Sequence, residues 1–136
     1  MWTCPKCDRI FEKVKQSHSC RKISISQHFK NKDLARELFN FLVNQIEYKI
    51  GPCRIISLPC CIHLYGNYDF LAALPHKDKL EIRFAVQSKL DSPRLVQSVP
   101  VSIKYIKNYI DIKENEEINT ELIGWLNQAY HLKDKN

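Results

Sequence analysis

The chain opens MWTCPKCDRIFEKVKQSHSC, a stretch with too little apolar material to build a core of its own. Trp2, Ile10, Phe11 and Val14 are nearly all the hydrophobic side chains it offers. What it does offer is a set of metal ligands. Cys4-Pro5-Lys6-Cys7 is a C-x2-C step, and His18-Ser19-Cys20 adds a histidine and a third cysteine after a gap of ten residues. Zinc takes four nitrogen and sulfur ligands tetrahedrally, and a closed set of four is the habit of structural sites. Such an ion contributes roughly 10–16 kcal/mol in small finger peptides, enough to order about twenty residues that lack a core. The spacing therefore predicts a zinc knuckle over residues 1–22, with structural Zn2+ held by Cys4, Cys7, His18 and Cys20. Trp2 and Phe11 are expected to pack over the cluster. The competing arrangement is a flexible thiol-rich tail, or a redox pair at Cys4 and Cys7.

Charge is concentrated in the same region. Residues 1–32 carry eight of the 21 basic side chains against Asp8 and Glu12, and the remaining thirteen basic and thirteen acidic residues cancel. The net charge of +6 thus belongs to the first quarter of the chain. A basic segment on a neutral body is an electrostatic handle for a polyanion or an acidic partner. Lys6, Arg9, Lys13, Lys15, Arg21 and Lys22 are the candidate phosphate contacts. No apolar run approaches the roughly 20 residues needed to span a membrane. With no leader pattern at the start, the expected location is the cytoplasm, where a cysteine cluster binds metal more often than it forms disulfides.

Residues 23–32 read as a linker, and residues 33–136 as an α+β body. Asp33 reads as the capping residue of a helix with apolar positions at Leu34, Leu38, Phe41, Leu42 and Ile46, stopped by Gly51-Pro52. Short strands are expected over residues 54–58, 61–65 and 68–74, with a two-residue turn at Gly66-Asn67. Leu80, Ile82, Phe84 and Val86 alternate with polar or small residues, so that strand buries one face. Residues 90–95 read as a loop and 101–112 as one further strand. A last helix from about Glu116 to His131 carries a stripe of Ile118, Leu122, Trp125, Leu126 and Ala129, with Gly124 placed for close approach to the sheet. The expected architecture is a small N-terminal zinc knuckle, a helix, a four- to five-stranded antiparallel sheet and a C-terminal helix, with both helices on one face.

Other chemistry is thinly marked. Cys53, Cys60, Cys61 and His63 cluster in sequence, and in a regular strand Cys61 and His63 share a face. A second metal site would need further ligands, and His28, His76 and His131 sit on unrelated elements, so these cysteines read as small buried hydrophobes. His63, His76, Asp78 and Glu81 show no spacing of a nucleophile beside a base. The three glycines, at 51, 66 and 124, make no phosphate-cradling loop. Lys77, Lys79, Arg83, Lys104 and Lys107 interleave with Tyr105 and Tyr109, a pattern shared by base-stacking surfaces and mixed-charge solvent faces.

The segments W-T-C-P-K-C-D-R-I-F and H-S-C, followed by RELFNFLVNQI, GPCRIISLP, YDFLAALPHKDKLEIRFAV, DSPRL and ELIGWLNQAY, resemble a bacterial family known as domain of unknown function 5655 with its preceding W-x-C-P-x-C knuckle. The resemblance spans nearly the whole chain, and is most specific at Trp2, Cys4, Pro5, Cys7, His18, Cys20 and residues 125–130. It implies a zinc knuckle fused to a small α+β domain and carries over no catalytic residue. Relatives place a histidine near the strand where this chain has Lys107 and Asn108. The leading functional expectation is a non-catalytic module that docks on nucleic acid through its basic knuckle. The alternatives are a protein-interaction adaptor, and a small-ligand binder or enzyme using a pocket where His63, His76, Arg83 or Tyr105 converge.

Overall fold

A computed structural model of the chain describes residues 1–134, so the end of the expected 33–136 body lies outside the described residues. The knuckle contains a two-stranded ribbon of β1 (Trp2–Thr3) and β2 (Ile10–Phe11). A one-turn helix α1 (Ile25–His28) leads into α2 (Asp33–Lys49). Six strands follow: β3 (Arg54–Ser57), β4 (Ile62–Tyr65), β5 (Asp69–Pro75), β6 (Leu80–Val86), β7 (Leu95–Pro100) and β8 (Ile106–Ile112). A 3-10 turn at Asn115–Glu117 precedes α3 (Thr120–His131). The strands form one antiparallel sheet in the order β3-β4-β5-β6-β8-β7. The class is the expected α+β layer, with one strand more than the sequence pattern suggested.

Alternation along β6 explains how the layer closes. Leu80, Ile82, Phe84 and Val86 are buried while Glu81, Arg83 and Ala85 are half-exposed. The buried set meets Leu38, Phe39, Leu42 and Ile46 of α2, and Leu122, Leu126 and Ala129 of α3, in a single core. Both helices therefore lie on one face of the sheet. The buried stripe of α2 is rotated from the sequence expectation: Phe39 and Val43 are inside, Phe41 is half-buried and Leu34 is 38% exposed. Asp33 is the first helical residue rather than the cap, so its carboxylate acts on the helix dipole instead of on an open backbone N–H. At α3, Asn119 caps the helix, its side-chain oxygen accepting from the Leu122 N–H at 3.1 Å.

The extra strand is β7, over residues where the pattern marks no strand and of which only Leu95 belongs to the expected loop. β7 and β8 form a hairpin, whereas residues 101–112 were expected to run as one strand. β7 is an edge strand whose side chains are mostly exposed, Val96 among them, so it lacks the apolar alternation that identifies a strand. The residues of 23–32 also lie against the sheet. The Ile23 N–H donates to Ser57 O, the His28 ring meets Leu58 O at 2.7 Å, and Phe29 is buried against Phe39.

The glycines work differently from the sequence reading. Gly124 has open space around it and allows no close approach. Gly51 and Gly66 instead wrap Tyr130. A Cβ on Gly66 would stand 2.6–2.7 Å from the tyrosine ring, and one on Gly51 would stand 2.8 Å from its hydroxyl. That hydroxyl donates to Pro52 O at 2.7 Å and ties the end of α3 to the start of β3. The turn between β4 and β5 is consequently not the two-residue type expected at Gly66-Asn67. Tyr65 pairs with Asp69 across three residues, with a bulge between Leu64 and Tyr65. Gly66→Ala should therefore lower stability by about 1–3 kcal/mol through overpacking against a buried ring. Gly124→Ala should raise it by up to about 1 kcal/mol through helix propensity alone. Urea midpoints of the two variants check this pair of opposite signs.

Candidate metal centre

The knuckle is folded around its ligands. The Asp8 N–H donates to Cys4 O, and the Cys4 N–H to Arg9 O, both at 2.9 Å, closing a turn that aims Cys4 and Cys7 inward. Asp8 completes that turn with a positive φ of 62°, a conformation that a short side chain able to bond its own backbone tolerates. The second pair returns after β2. Ligand atoms of Cys4, Cys7, His18 and Cys20 all lie within 4.8 Å of one another. Cys4 Sγ is 3.7 Å from Cys20 Sγ, and His18 Nε2 is 3.4 Å from both Cys7 Sγ and Cys20 Sγ. A tetrahedron with the bond lengths usual for zinc has edges of ~3.7 Å between sulfurs and ~3.5 Å between sulfur and nitrogen. The four residues fit such an ion.

The surrounding groups prepare the ligands. His18 Nδ1 meets Gln16 O at 2.7 Å; a carbonyl only accepts, so Nδ1 carries the proton and Nε2 turns its lone pair to the cluster. Phe11 lies 4.2 Å from the His18 ring and Trp2 meets it edge-on at 6.1 Å, so both aromatics hold the histidine as expected. Burial raises the Cys4 thiol, but the backbone N–H groups of Cys7 and Lys6 and side-chain bonds to His18 and Cys7 outweigh it, bringing the thiol down to about 6. Cys20 moves the other way, to about 11, through burial and the neighbouring sulfurs of Cys4 and Cys7. Three thiols so close repel as thiolates, and a bound cation removes that conflict.

The knuckle rests on the sheet's outer face, opposite the helices. Ile10 packs on Ile56, Leu58 and Tyr65, a small buried cluster separate from the main core. Arg54 donates to Asp8 O at 3.1 Å, and Lys133 reaches Glu12 at 2.8 Å, an ion pair that holds the Glu12 carboxyl below its ordinary range. Between knuckle and body lies a cavity of about 640 Å3, lined by Arg9, Tyr65, Asp69, Lys104, Tyr105 and Lys133 among others.

Five of the six candidate phosphate contacts, Lys6, Lys13, Lys15, Arg21 and Lys22, are exposed. Arg9 stands apart. It is half-buried, lies 4.9 Å above the Phe11 ring, and points toward the Tyr65 hydroxyl with its Nε enclosed and unpaired. Its place is in the seam between knuckle and sheet. Beside the cluster, Trp2, Pro5, Lys6, Lys15 and His18 line a mostly apolar groove of about 530 Å3.

Of the other sequence candidates, Cys60, Cys61 and His63 stay together with their ligand atoms within 4.8 Å of one another, Cys60 being exposed rather than buried, and the rest disperse. Cys53 packs against the core, its thiol pushed up to about 12 by burial with Glu47 nearby. His76 pairs with Glu81 at 3.1 Å, and Arg83 holds the other oxygen of Glu81 at 2.7 Å. Burial raises the Glu81 carboxyl, but these two partners pull it below its ordinary value. Lys79 pairs with Asp111, while Arg83 and Lys107 lie over Tyr109. The basic and aromatic residues of the sheet thus form a mixed-charge face. Of the four residues expected at a body pocket, His63 and Arg83 share a cavity of about 190 Å3, Tyr105 lines the larger one, and His76 lines neither. Asn108 is fully buried, bonded by Ser98 at 2.8 Å and donating to Ile106 O. The docking role of Ile10 and the Glu12–Lys133 pair carried no sequence signal, because each depends on a partner far along the chain.

Comparison with protein-family models, with curated proteins and with solved structures finds no match for this chain. Among the described residues, no helix is long and apolar enough to cross a membrane. The class defined by fold and site is a two-layer α+β protein with an N-terminal cluster suited to a metal ion.

Denying this cluster a metal ion should separate the two parts. Chelation, or Cys4→Ser, is expected to open residues 1–22 to protease and to free Ile10 from Tyr65, while the six-stranded sheet keeps its far-UV signal. Limited proteolysis and circular dichroism on the same samples check this; collapse of the whole far-UV signal would show one cooperative unit.

Proposed function

We propose that this protein is a zinc-binding, non-catalytic module that docks on single-stranded nucleic acid through its basic knuckle. The observation that carries the reading is the groove beside the metal cluster, where Trp2 is flanked by Lys6 and Lys15. An aromatic face offers a platform to any base, and lysines beside it take the flanking phosphates, which gives affinity without sequence readout. Lys13, Arg21 and Lys22 extend the positive surface. Zinc is the favoured ion because the donor set is three sulfurs and one nitrogen with near-tetrahedral edges. Ligation by thiolates needs reduced cysteines, which fits the cytoplasm. The resemblance to domain of unknown function 5655 belongs to the same reading: its most specific motifs fall on the metal cluster and on α3.

Binding of a generic single-stranded oligonucleotide is expected to weaken steeply with salt, by about 0.7 in log–log slope for each phosphate contact. Trp2→Ala should cost ~1–3 kcal/mol for each base stacked on it. Lys6→Ala and Lys15→Ala should each make the slope shallower. Fluorescence anisotropy across a salt series, with metal content measured for every variant, decides the matter. A flat salt response, or a Trp2→Ala protein that binds as well as the parent, overturns the proposal. So does co-purification of one stoichiometric protein that survives nuclease treatment while no oligonucleotide binds.

A further inference from the structure

A second convergence of soft ligands lies at the β3–β4 turn. Ligand atoms of Cys60, Cys61 and His63 sit within 4.8 Å of one another. Two backbone bonds between Leu58 and Cys61 close the turn that presents Cys60, and strand alternation then puts Cys61 and His63 on one face. Cys61 Sγ is 3.1 Å from His63 Nε2 and 2.6 Å from Cys60 Sγ.

The histidine is oriented from behind. His63 Nδ1 stands 2.6 Å from Asp69 Oδ2. The carboxylate stands close beside that nitrogen without the angle of a hydrogen bond, Nδ1 being enclosed and otherwise unpartnered among the described residues, while Nε2 faces the sulfur of Cys61. A carboxylate behind the ring is the usual support of a metal-bound histidine. Asp69 occupies this place because of the bulge between Leu64 and Tyr65. In an unbroken ladder Phe70 would face Tyr65; as the extra residue it turns into the core against Tyr130, and Asp69 takes the outer face beside His63.

Space for a further ligand is adjacent. A cavity of about 400 Å3 is lined by Cys60 and His63 together with Leu58, Pro59, Arg9 and Arg21. We propose that Cys60, Cys61 and His63 form a second zinc site whose fourth position opens into this cavity. Two thiolates balance the charge of the ion, and the two arginines on the cavity wall make water or a small anion the natural fourth ligand. Three protein ligands with one open position is the donor set of catalytic zinc, unlike the closed set of the knuckle. A tetrahedral ion asks the two sulfurs to stand ~3.7 Å apart. The site therefore requires the exposed Cys60 side chain to rotate outward from Cys61, which is 9% exposed. The proposal is independent of nucleic-acid binding.

The test is titration of the full-length, reduced, metal-free chain with cobalt(II), read by its thiolate charge-transfer and d–d bands. The native chain should take two equivalents, Cys4→Ser one, and Cys60→Ser combined with His63→Asn one. Asp69→Asn keeps every ligand and should weaken the body's equivalent about 10–100-fold with the far-UV signal unchanged. Azide should shift the bands of the body's cobalt only. A single equivalent in the native chain that vanishes in Cys4→Ser overturns the site. Loss of two hydrogens from the peptide carrying Cys60 and Cys61 in the protein as purified, marking a disulfide, overturns it as well. Bands insensitive to azide would overturn the open position.

Discussion

Convergence of four ligand atoms near the N-terminus is the constraint from which the rest of the first quarter follows. Residues 1–22 bury almost nothing of their own beyond Cys4 and Cys7. A chain segment of that length loses far more conformational entropy than such burial returns. An ion held by three sulfurs and the His18 ring would supply the missing free energy. It also sets direction: once the Cys4–Cys7 turn is closed, β2 leaves it with Ile10 aimed at the sheet and Phe11 against His18.

That direction divides the positive charge. Arg9, one residue before Ile10, is carried into the seam and lies against Phe11 and Tyr65. Lys6, Lys13, Lys15 and Lys22 are exposed, as is Arg21, which also lines the cavity at the β3–β4 turn. Net charge alone would have counted all six as one surface. Docking turns one of them into part of the joint and leaves five as the exposed handle. The body adds little to this surface, since the charges of its outer face are largely spent on one another through Glu81, Arg83, Lys79 and Asp111.

Much of this was legible wherever a local rule operates. Ligand spacing named Cys4, Cys7, His18 and Cys20, and the apolar alternation of β6 and the stripe of α3 placed the core and both helices. What stayed hidden depends on contacts between distant segments. β7 is an exposed edge held by its ladder to β8, so no periodicity marks it. Gly66 reads as a turn residue, yet its role is to clear the ring of Tyr130, 64 positions away by residue number. The same holds for the second cluster: strand alternation put Cys61 with His63, but nothing in the sequence said that Asp69 would stand behind the ring.

The bulge between Leu64 and Tyr65 ties these hidden features together. One extra residue in β5 sends Phe70 inward to meet Tyr130, and the same step brings Asp69 outward to His63. Core packing and the orientation of a candidate ligand thus share a single backbone irregularity. Removing it would return Phe70 to the outer face and take the carboxylate from the histidine at once. Any change that relaxes the Gly66–Tyr130 contact acts on the same turn, so the packing of α3 and the geometry of His63 are mechanically coupled across the sheet.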